Sequence, residues 1–294
     1  MIQFENVTKI FRRTPVLDDI TLHIGSTDRI ALVGSNGAGK TTLIRCLLGE
    51  YVFEGTLTLE GKDVRAERTE ILKHVGFVPQ LPPPLRMPVG QLISFAAGVC
   101  GSDESKMYGV ATKLGLDARG FRKQPFVKLS GGQKQKLLIA IALGRECNLL
   151  VMDEPAANLD PEARHVLFKL LAEKQENTAM IISSHRLDEV AALVNRVVEL
   201  DQGKVVLDDH VADAVDMDSI LECQLSLTRA DAAFAEAIHA WGFTPKQDGT
   251  IWNGPVAGPD RLRFLGVLSR YAGLLNGIHM KEKSSNKGHH DEAS

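Results

Sequence analysis

Apolar positions recur at short, regular intervals from the first residues onward. Ile2, Phe4 and Val7 are followed by Leu17, Ile20, Leu22 and Ile24, with polar residues interleaved. A period near two places successive apolar side chains on one face, so the pattern predicts half-buried strands. Residues 29–33 (Arg-Ile-Ala-Leu-Val) form a short continuous apolar run, the mark of a strand buried on both faces. That run enters Gly34-Ser35-Asn36-Gly37-Ala38-Gly39-Lys40-Thr41-Thr42, and a helical stretch over 43–48 stops at Gly49, a C-terminal cap. Residues 55–61 and 75–79 read as further strands.

The prolines at 82–84 break the pattern, because proline removes a backbone donor and pushes the preceding residue to extended geometry. Beyond Pro88 the spacing changes. Val89, Leu92, Ile93 and Ala96 fall at i, i+3, i+4 and i+7, which predicts an amphipathic helix, with helical character continuing irregularly to about Phe126. Leu129-Ser130-Gly131-Gly132-Gln133 precedes a helix through Leu143. Residues 148–152 form a buried strand ending in Asp153-Glu154-Pro155, and residues 179–184 another ending at His185.

After about Asp208 the composition shifts. A strand is expected over 221–227, a helix over 231–241, a hairpin about Gly249 within 243–257, a second helix over 260–271 and a last strand over 274–280. The order β-α-β-β-α-β is the ferredoxin-like plan. The chain is therefore expected to hold a nucleotide-binding domain over 1–214, an α+β appendage over 215–280 and a polar, disordered tail over 281–294.

Gly34-x-x-x-x-Gly39-Lys40-Thr41, between a strand and a helix, matches the phosphate-binding loop pattern. The glycines turn backbone N–H groups inward as a cradle, and the positive end of the helix dipole faces the same anions. Lys40 adds a point charge, and the Thr41 hydroxyl is placed to ligate Mg²⁺. Asp153 and Glu154, at the end of a buried strand, stand where ligands of parallel sheets bind. Asp153 is expected to hold Mg²⁺, and Glu154 to orient or deprotonate the water that attacks the γ-phosphate.

Composition narrows the class. The chain has 294 residues, 44% hydrophobic and 24% charged, an ordinary globular balance. A formal charge of -3 argues against a general basic surface for nucleic acid. No apolar run approaches the ~18–20 residues of a spanning helix, and the N-terminus lacks a secretory pattern. Cys46, Cys100, Cys147 and Cys223 have no paired spacing, so reduced thiols in a cytosolic chain are expected.

Leu129-Ser130-Gly131-Gly132-Gln133, just upstream of the Asp153-Glu154 strand, resembles the signature of ATP-binding cassette (ABC) proteins, and the resemblance covers about residues 1–210. It implies a P-loop NTPase fold of α/β class, with a RecA-like core, an antiparallel β-subdomain and a helical signature subdomain. It also implies ATP and Mg²⁺ as cofactors. Gln80 matches the Q-loop glutamine, with a Mg²⁺ and water contact. His185 matches the switch histidine. Asn158-Leu159-Asp160 matches the D-loop, where Asp160 is read as a cross-dimer contact, with a helix cap as the alternative. Phe11 matches the aromatic placed against adenine, with burial in the core as the alternative. Ser130, Gly131, Gly132 and Gln133 would hold the γ-phosphate of ATP bound to the other cassette of a dimer.

One P-loop and one signature per chain then imply a homodimer around two ATP. The resemblance further implies an ATP-hydrolysing transporter subunit, peripheral on the cytoplasmic face of the inner membrane. Its partners would be separate integral membrane permease subunits and an accessory or periplasmic factor, with no nucleic acid. The Val89, Leu92, Ile93 and Ala96 stripe is either subdomain core or a docking face, with Leu85, Arg86 and Met87 as neighbours that could carry docking. The appendage resembles that of exporter-type (ABC-2-like) cassettes, including those that accompany copper-site maturation of nitrous oxide reductase. The rival class is a soluble ABC machine for assembly or repair. His289-His290 in the tail reads as a solvated terminus.

Overall fold

Strands β1 (Ile2–Phe11) and β2 (Thr14–Ile24) pair antiparallel with Phe4 opposite Leu22, so the alternating apolar residues share one face. In this computed structural model residues 1–174, 178–185, 187–210, 220–246, 249–257, 264, 267, 268, 271 and 273–282 are described. The chain divides into two compact units, Met1–Ala212 and Asp213–Ser294.

In the first unit the chain runs through β3 (Arg29–Val33), α1 (Lys40–Leu47), β4 (Glu54–Leu59), β5 (Lys62–Asp63), α2 (Arg68–Lys73), β6 (Val75–Val78), α3 (Val89–Cys100) and α4 (Glu104–Lys113). It continues through α5 (Gly131–Leu143), β7 (Leu149–Asp153), α6 (Pro161–Glu173), β8 (Ala179–Ser183), α7 (Leu187–Val190), β9 (Arg196–Asp201) and β10 (Lys204–His210). One sheet is antiparallel, in the order β2-β1-β4-β5. The second runs β10-β9-β3-β8-β7-β6, parallel except for the β10–β9 pair.

Parallel alignment brings the carboxyl ends of β3, β8, β7 and β6 to one edge. That edge delivers the 34–42 loop, His185, Asp153-Glu154 and Gln80 side by side. Every residue of β7 and β8 is buried: their apolar runs require it, and Asp153 and Ser183 at the two strand ends are buried with them.

Three apolar clusters hold this unit. Phe4, Leu22, Ile30, Ile44, Leu57 and Val198 belong to the first, which joins the antiparallel sheet, α1 and the parallel sheet. Ile139, Met152, Leu167 and Ile182 belong to the second. Val89, Ile93, Met107, Phe126 and Leu137 build a separate helical core. Helix α5 serves both of the latter clusters: Leu137 and Ala140 face the helical core, Ile139 and Ala142 the sheet-packed one.

Local signals set the helix ends. Gly49 follows α1 with φ +64, and a Cβ there would sit 2.4 Å from the Val64 carbonyl oxygen. Between α4 and Phe126 the helical character is interrupted. Helix α4 ends at Lys113, Gly115 takes φ +73, and turns lead to a single 3₁₀ turn at Phe126–Lys128. A left-handed glycine ends a helix by turning the chain back on its last carbonyls. The Val89, Leu92 and Ile93 stripe is buried in the helical core, with Ala96 packed against it. The core alternative is therefore the one these side chains adopt.

The second unit holds β11 (Ile220–Leu227), α8 (Ala232–His239), β12 (Thr244–Lys246), β13 (Ile251–Ala257) and β14 (Leu275–Glu282) in an antiparallel sheet of order β12-β13-β11-β14. This is the ferredoxin-like arrangement, in which the first and third strands are central. Phe234, Phe243, Trp252 and Phe264 fill its core. Of the helix expected over 260–271, the described residues Phe264, Val267 and Leu268 are helical. Strand β14 runs to Glu282, two residues past its expected end, because Lys281 and Glu282 still pair with Glu222 and Leu221. The rest of the expected tail, His289 and His290 included, lies outside the described residues.

Candidate nucleotide site

The glycines of the 34–42 loop are dictated by backbone shape. Gly34, Gly37 and Gly39 have φ of +141, +89 and +109, a region costly for residues with a Cβ. A Cβ at Gly34 would approach the Leu200 carbonyl oxygen to 2.2 Å, whereas one at Gly37 would meet nothing within 4 Å. The loop is thus pinned at its first glycine and open at its tip, where Ser35, Asn36 and Gly37 are exposed. Ala38, Gly39 and Lys40 are buried, and Thr41 and Thr42 partly so. The Lys40 ammonium donates to the carbonyl oxygens of Gly34 (2.7 Å) and Ser35 (3.0 Å), curling over the loop it follows.

Thr41 Oγ1 donates to Asp153 Oδ2 at 2.8 Å, and Ser183 Oγ donates to Asp153 Oδ1 at 2.5 Å. Asp153 is only 3% exposed, and both its oxygens are held. Glu154 takes a left-handed backbone (φ +47). Its N–H donates to the Ser183 carbonyl oxygen (3.2 Å) and to Ser183 Oγ (3.0 Å). Gln80 Nε2 donates to Glu154 Oε2 at 3.2 Å, and His185 Nδ1 lies 3.6 Å from the same oxygen. Glu154, Ser183, Ser184 and His185 also line a cavity of about 200 Å³ that reaches Arg164 and Phe168. The edge therefore gathers a cation, a hydroxyl, two carboxylates, an amide and an imidazole beside an anion cradle. Such a set can bind phosphates and deprotonate water.

The Ser130 turn is a helix N-terminus with a full capping box. Gln133 N–H donates to Ser130 Oγ (3.2 Å), and Ser130 N–H donates to Gln133 Oε1 (2.9 Å). Gly131 is exposed and Gly132 partly so. Among the described residues no hydrogen bond or ion pair joins this turn to the 34–42 loop.

Phe11 is 37% exposed, whereas Phe4 is 2% exposed, so the two phenylalanines divide into a surface ring and a core ring. Phe11 meets Tyr51 edge-on at 5.2 Å, with the Lys9 ammonium 4.5 Å from its centroid. Asp160 accepts from the Ala163 N–H (2.8 Å) as N-cap of α6 and pairs with Lys136 Nζ (2.7 Å). The cap alternative for Asp160 is thus present within this chain.

Comparison with known proteins decides the family. The family description "ABC transporter" matches residues 17–157. The energy-coupling factor transporter ATP-binding protein EcfA2 of Clostridioides difficile (strain 630) is 33% identical over 221 residues, covering 68% of this chain and 76% of that protein. The chain belongs to the ABC transporter family. It is an ATP-binding cassette and an ATPase.

The glutamine transport ATP-binding protein GlnQ of Escherichia coli (strain K12) is 31% identical over 222 residues, covering 71% of this cassette and 91% of the relative. The fold matches the dimeric, post-hydrolysis structure of the cassette MJ0796 bound to ADP and Pi, with TM-score 0.64 and 21% identity, covering 72% of this chain and 100% of that one. The two sequence relatives are named for energy-coupling factor and glutamine transport. They lend no support to the export-type or copper-maturation reading, which rested on the layout of the appendage alone.

Ser183, which holds Asp153, and Tyr51, which meets Phe11 edge-on, adjoin the site without standing in any sequence motif. Ser183 has a signal in retrospect: it ends an apolar strand parallel to β7, in register opposite Asp153. A hydroxyl in that place must face the carboxylate.

Proposed function

We propose that two copies of this chain close around two ATP, each nucleotide lying between residues 34–42 of one copy and residues 129–133 of the other. We further propose that closure and hydrolysis drive separate integral membrane subunits. The observation that carries the chemistry is the convergence of Gln80 and His185 on one oxygen of Glu154, next to the Thr41–Asp153 bond. Glu154 is 13% exposed, which leaves it sheltered yet reachable by water, the setting of a general base. Gln80 and His185 fix its orientation and can hold the water it deprotonates. Lys40 and the N–H groups of the cradle bind the phosphates, and Phe11 offers an exposed ring face to the base.

Thr41, Asp153 and Gln80 fit Mg²⁺: they are hard oxygen donors, and the first two already touch. Bound there, the ion would neutralise charge on the phosphate oxygens. Ser130 and the start of α5 supply an anion-binding helix end for the second copy's nucleotide. Asp160, at the end of the loop after Glu154, would meet the partner across the dimer.

No helix among the described residues is long and apolar enough to cross a membrane. A membrane subunit has a surface to meet on the helical subdomain. Phe95 is 61% exposed and Val99, one turn further along the same helix, 51%, while Leu81, 77% exposed, lies in the loop after β6. Large apolar side chains exposed together mark a contact surface. The reading is peripheral attachment, with the appendage as a second folded unit of the subunit.

The test is affinity purification of the full chain from detergent-solubilised membranes. An integral membrane protein should copurify with wild type and be lost from a Leu81→Asp, Phe95→Asp variant that still binds ATP. Recovery of a soluble complex alone would support the assembly or repair machine instead.

A further inference from the structure

Gln135 is the deepest polar side chain of α5, with no solvent exposure. Its Nε2 donates to the carbonyl oxygen of Pro155 at 3.1 Å, and Pro155 directly follows Glu154. One residue along the helix, Lys136 Nζ reaches Asp160 Oδ2 at 2.7 Å. On the preceding turn a Cβ on Gly132 would lie 3.1 Å from the Asn158 carbonyl oxygen. The N-terminal turns of α5 therefore touch residues 155–160 at their start, middle and end. The residue before them, Glu154, sits in a left-handed backbone clamped by two bonds from its N–H to Ser183.

A buried amide is a poor choice for stability alone. Gln135 Oε1 has no partner among the described residues, and an orphaned buried acceptor is unfavourable. Methionine or leucine would fill the same space without that defect. What glutamine provides, and they do not, is the bond to Pro155.

We infer that Gln135 is a positioning residue that couples the two nucleotide sites of the dimer. The inference rests on the two-copy reading above. Within one chain, the helix whose N-terminus meets the partner's nucleotide is fastened by Gln135 to the loop that carries its own general base. When the partner's ATP draws Ser130 and α5 into place, Pro155 follows, and Glu154 is set for hydrolysis in its own site. Lys136 and Asp160 form a second fastening of the same two pieces. Because the connection exists in each copy, occupancy of either site tunes the other, which is positive cooperativity between equivalent sites.

The test compares wild type with Gln135→Met, using ATP and Mg²⁺. The variant should melt at the wild-type temperature or above it and, as a dilute monomer, bind ATP with wild-type affinity. Its turnover should fall about 10-fold, and its Hill coefficient for ATP should drop from near 2 towards 1, within the range typical of coupled sites. Should Gln135→Met fail to fold, Lys136→Met, at a partly exposed position, is expected to lower the Hill coefficient in the same way. A hyperbolic wild-type curve, or variant curves as steep as a sigmoidal wild-type one, overturns the inference. So does loss of the monomer's ATP affinity in step with turnover, since that marks a merely structural role. Dimerisation of a Glu154→Gln protein with ATP separates the two readings. If that protein stays monomeric, the two-copy reading falls and the coupling with it. If it dimerises while Gln135→Met keeps full steepness, only the coupling falls.

Discussion

Thr41 and Asp153, 112 positions apart in the chain, share a 2.8 Å hydrogen bond between Oγ1 and Oδ2. The bond joins the first turn of α1 to the end of β7, so the phosphate loop and the acidic strand form one unit. Ser183 completes it by holding the other oxygen of Asp153. The same hydroxyl accepts from the Glu154 N–H, so one side chain orients two adjacent acids. Ser183→Ala would leave a buried carboxylate oxygen without this donor. The expected cost is about 1–3 kcal/mol, read from the midpoint of urea unfolding at constant slope, with a parallel loss of ATPase rate. An unchanged midpoint would show that Asp153 finds another donor.

Lys40 folds onto the carbonyls of Gly34 and Ser35 and is 7% exposed, so its charge is presented by the loop itself. Charge-assisted bonds are about twice as strong as neutral ones. Lys40→Ala is expected to weaken ATP binding by about 10–100-fold, from the free energy typical of hydrogen bonds to charged groups. Fluorescent-nucleotide titration at fixed salt measures this. Equal affinity in the variant would remove Lys40 from the cradle.

Glu154→Gln retains a side chain that Gln80 can still meet but cannot accept a proton from water. Hydrolysis should fall by about 10²–10⁴-fold, the range of a lost general base. ATP binding should persist, and a nucleotide-dependent dimer should accumulate on size exclusion. Ser130→Arg is the complementary probe. It places bulk and charge at the exposed start of α5, so it should block the dimer while monomers still bind ATP. Normal dimerisation of the Ser130→Arg protein would contradict a site shared between copies.

Legibility in the sequence followed the distance over which each signal acts. The phosphate loop, the signature turn and the buried strands are contiguous, so their glycines and apolar runs disclose them directly. The ferredoxin-like order of the appendage followed from period and turn residues in the same way. Contacts between distant segments left no such mark. Gln80 and Glu154 are 74 positions apart, and Gln135 looks like one more polar residue on an amphipathic helix until Pro155 is placed beside it. Helix length failed where a single glycine decided it: apolar residues persist to Phe126, but Gly115 in the left-handed region turns the chain at the end of α4. Phe11 and Phe4 are alike in sequence, and only the strand register separates the surface ring from the core ring.

The four cysteines are free thiols in unequal settings. Cys46, Cys147 and Cys223 are buried, and Cys100 at the end of α3 is partly exposed. Burial pushes the Cys46 and Cys223 thiols up to about 11 and raises Cys147 as well. The thiolate is the reactive form, so these three should resist alkylation at neutral pH. Native protein treated briefly with a maleimide should gain one adduct by intact mass, at Cys100, and four after unfolding in urea. Early labelling of Cys46 would indicate that the core around α1 opens.

Arg196 is 8% exposed and donates to both oxygens of Asp208, from Nε and Nη2 at 2.7 Å each, and to Asp28 Oδ2 at 2.6 Å. It thereby ties β9 to β10 and to the turn before β3. The bonds from Arg196 hold the Asp208 carboxyl below its ordinary value of 3.8. A carboxyl that binds its proton more weakly folded than unfolded stabilises the fold wherever the unfolded group is ionised. The contribution is present in full above the unfolded value of 3.8 and is lost as pH falls through the lower folded value. Asp208 is 35% exposed, so salt should screen part of the effect. Asp208→Asn is expected to melt below wild type at neutral pH. The gap should narrow in 1 M salt, begin to close below the unfolded value and vanish as pH falls through the lower folded value. A gap that persists unchanged in strong acid would place its cause in packing and not in the ion pair.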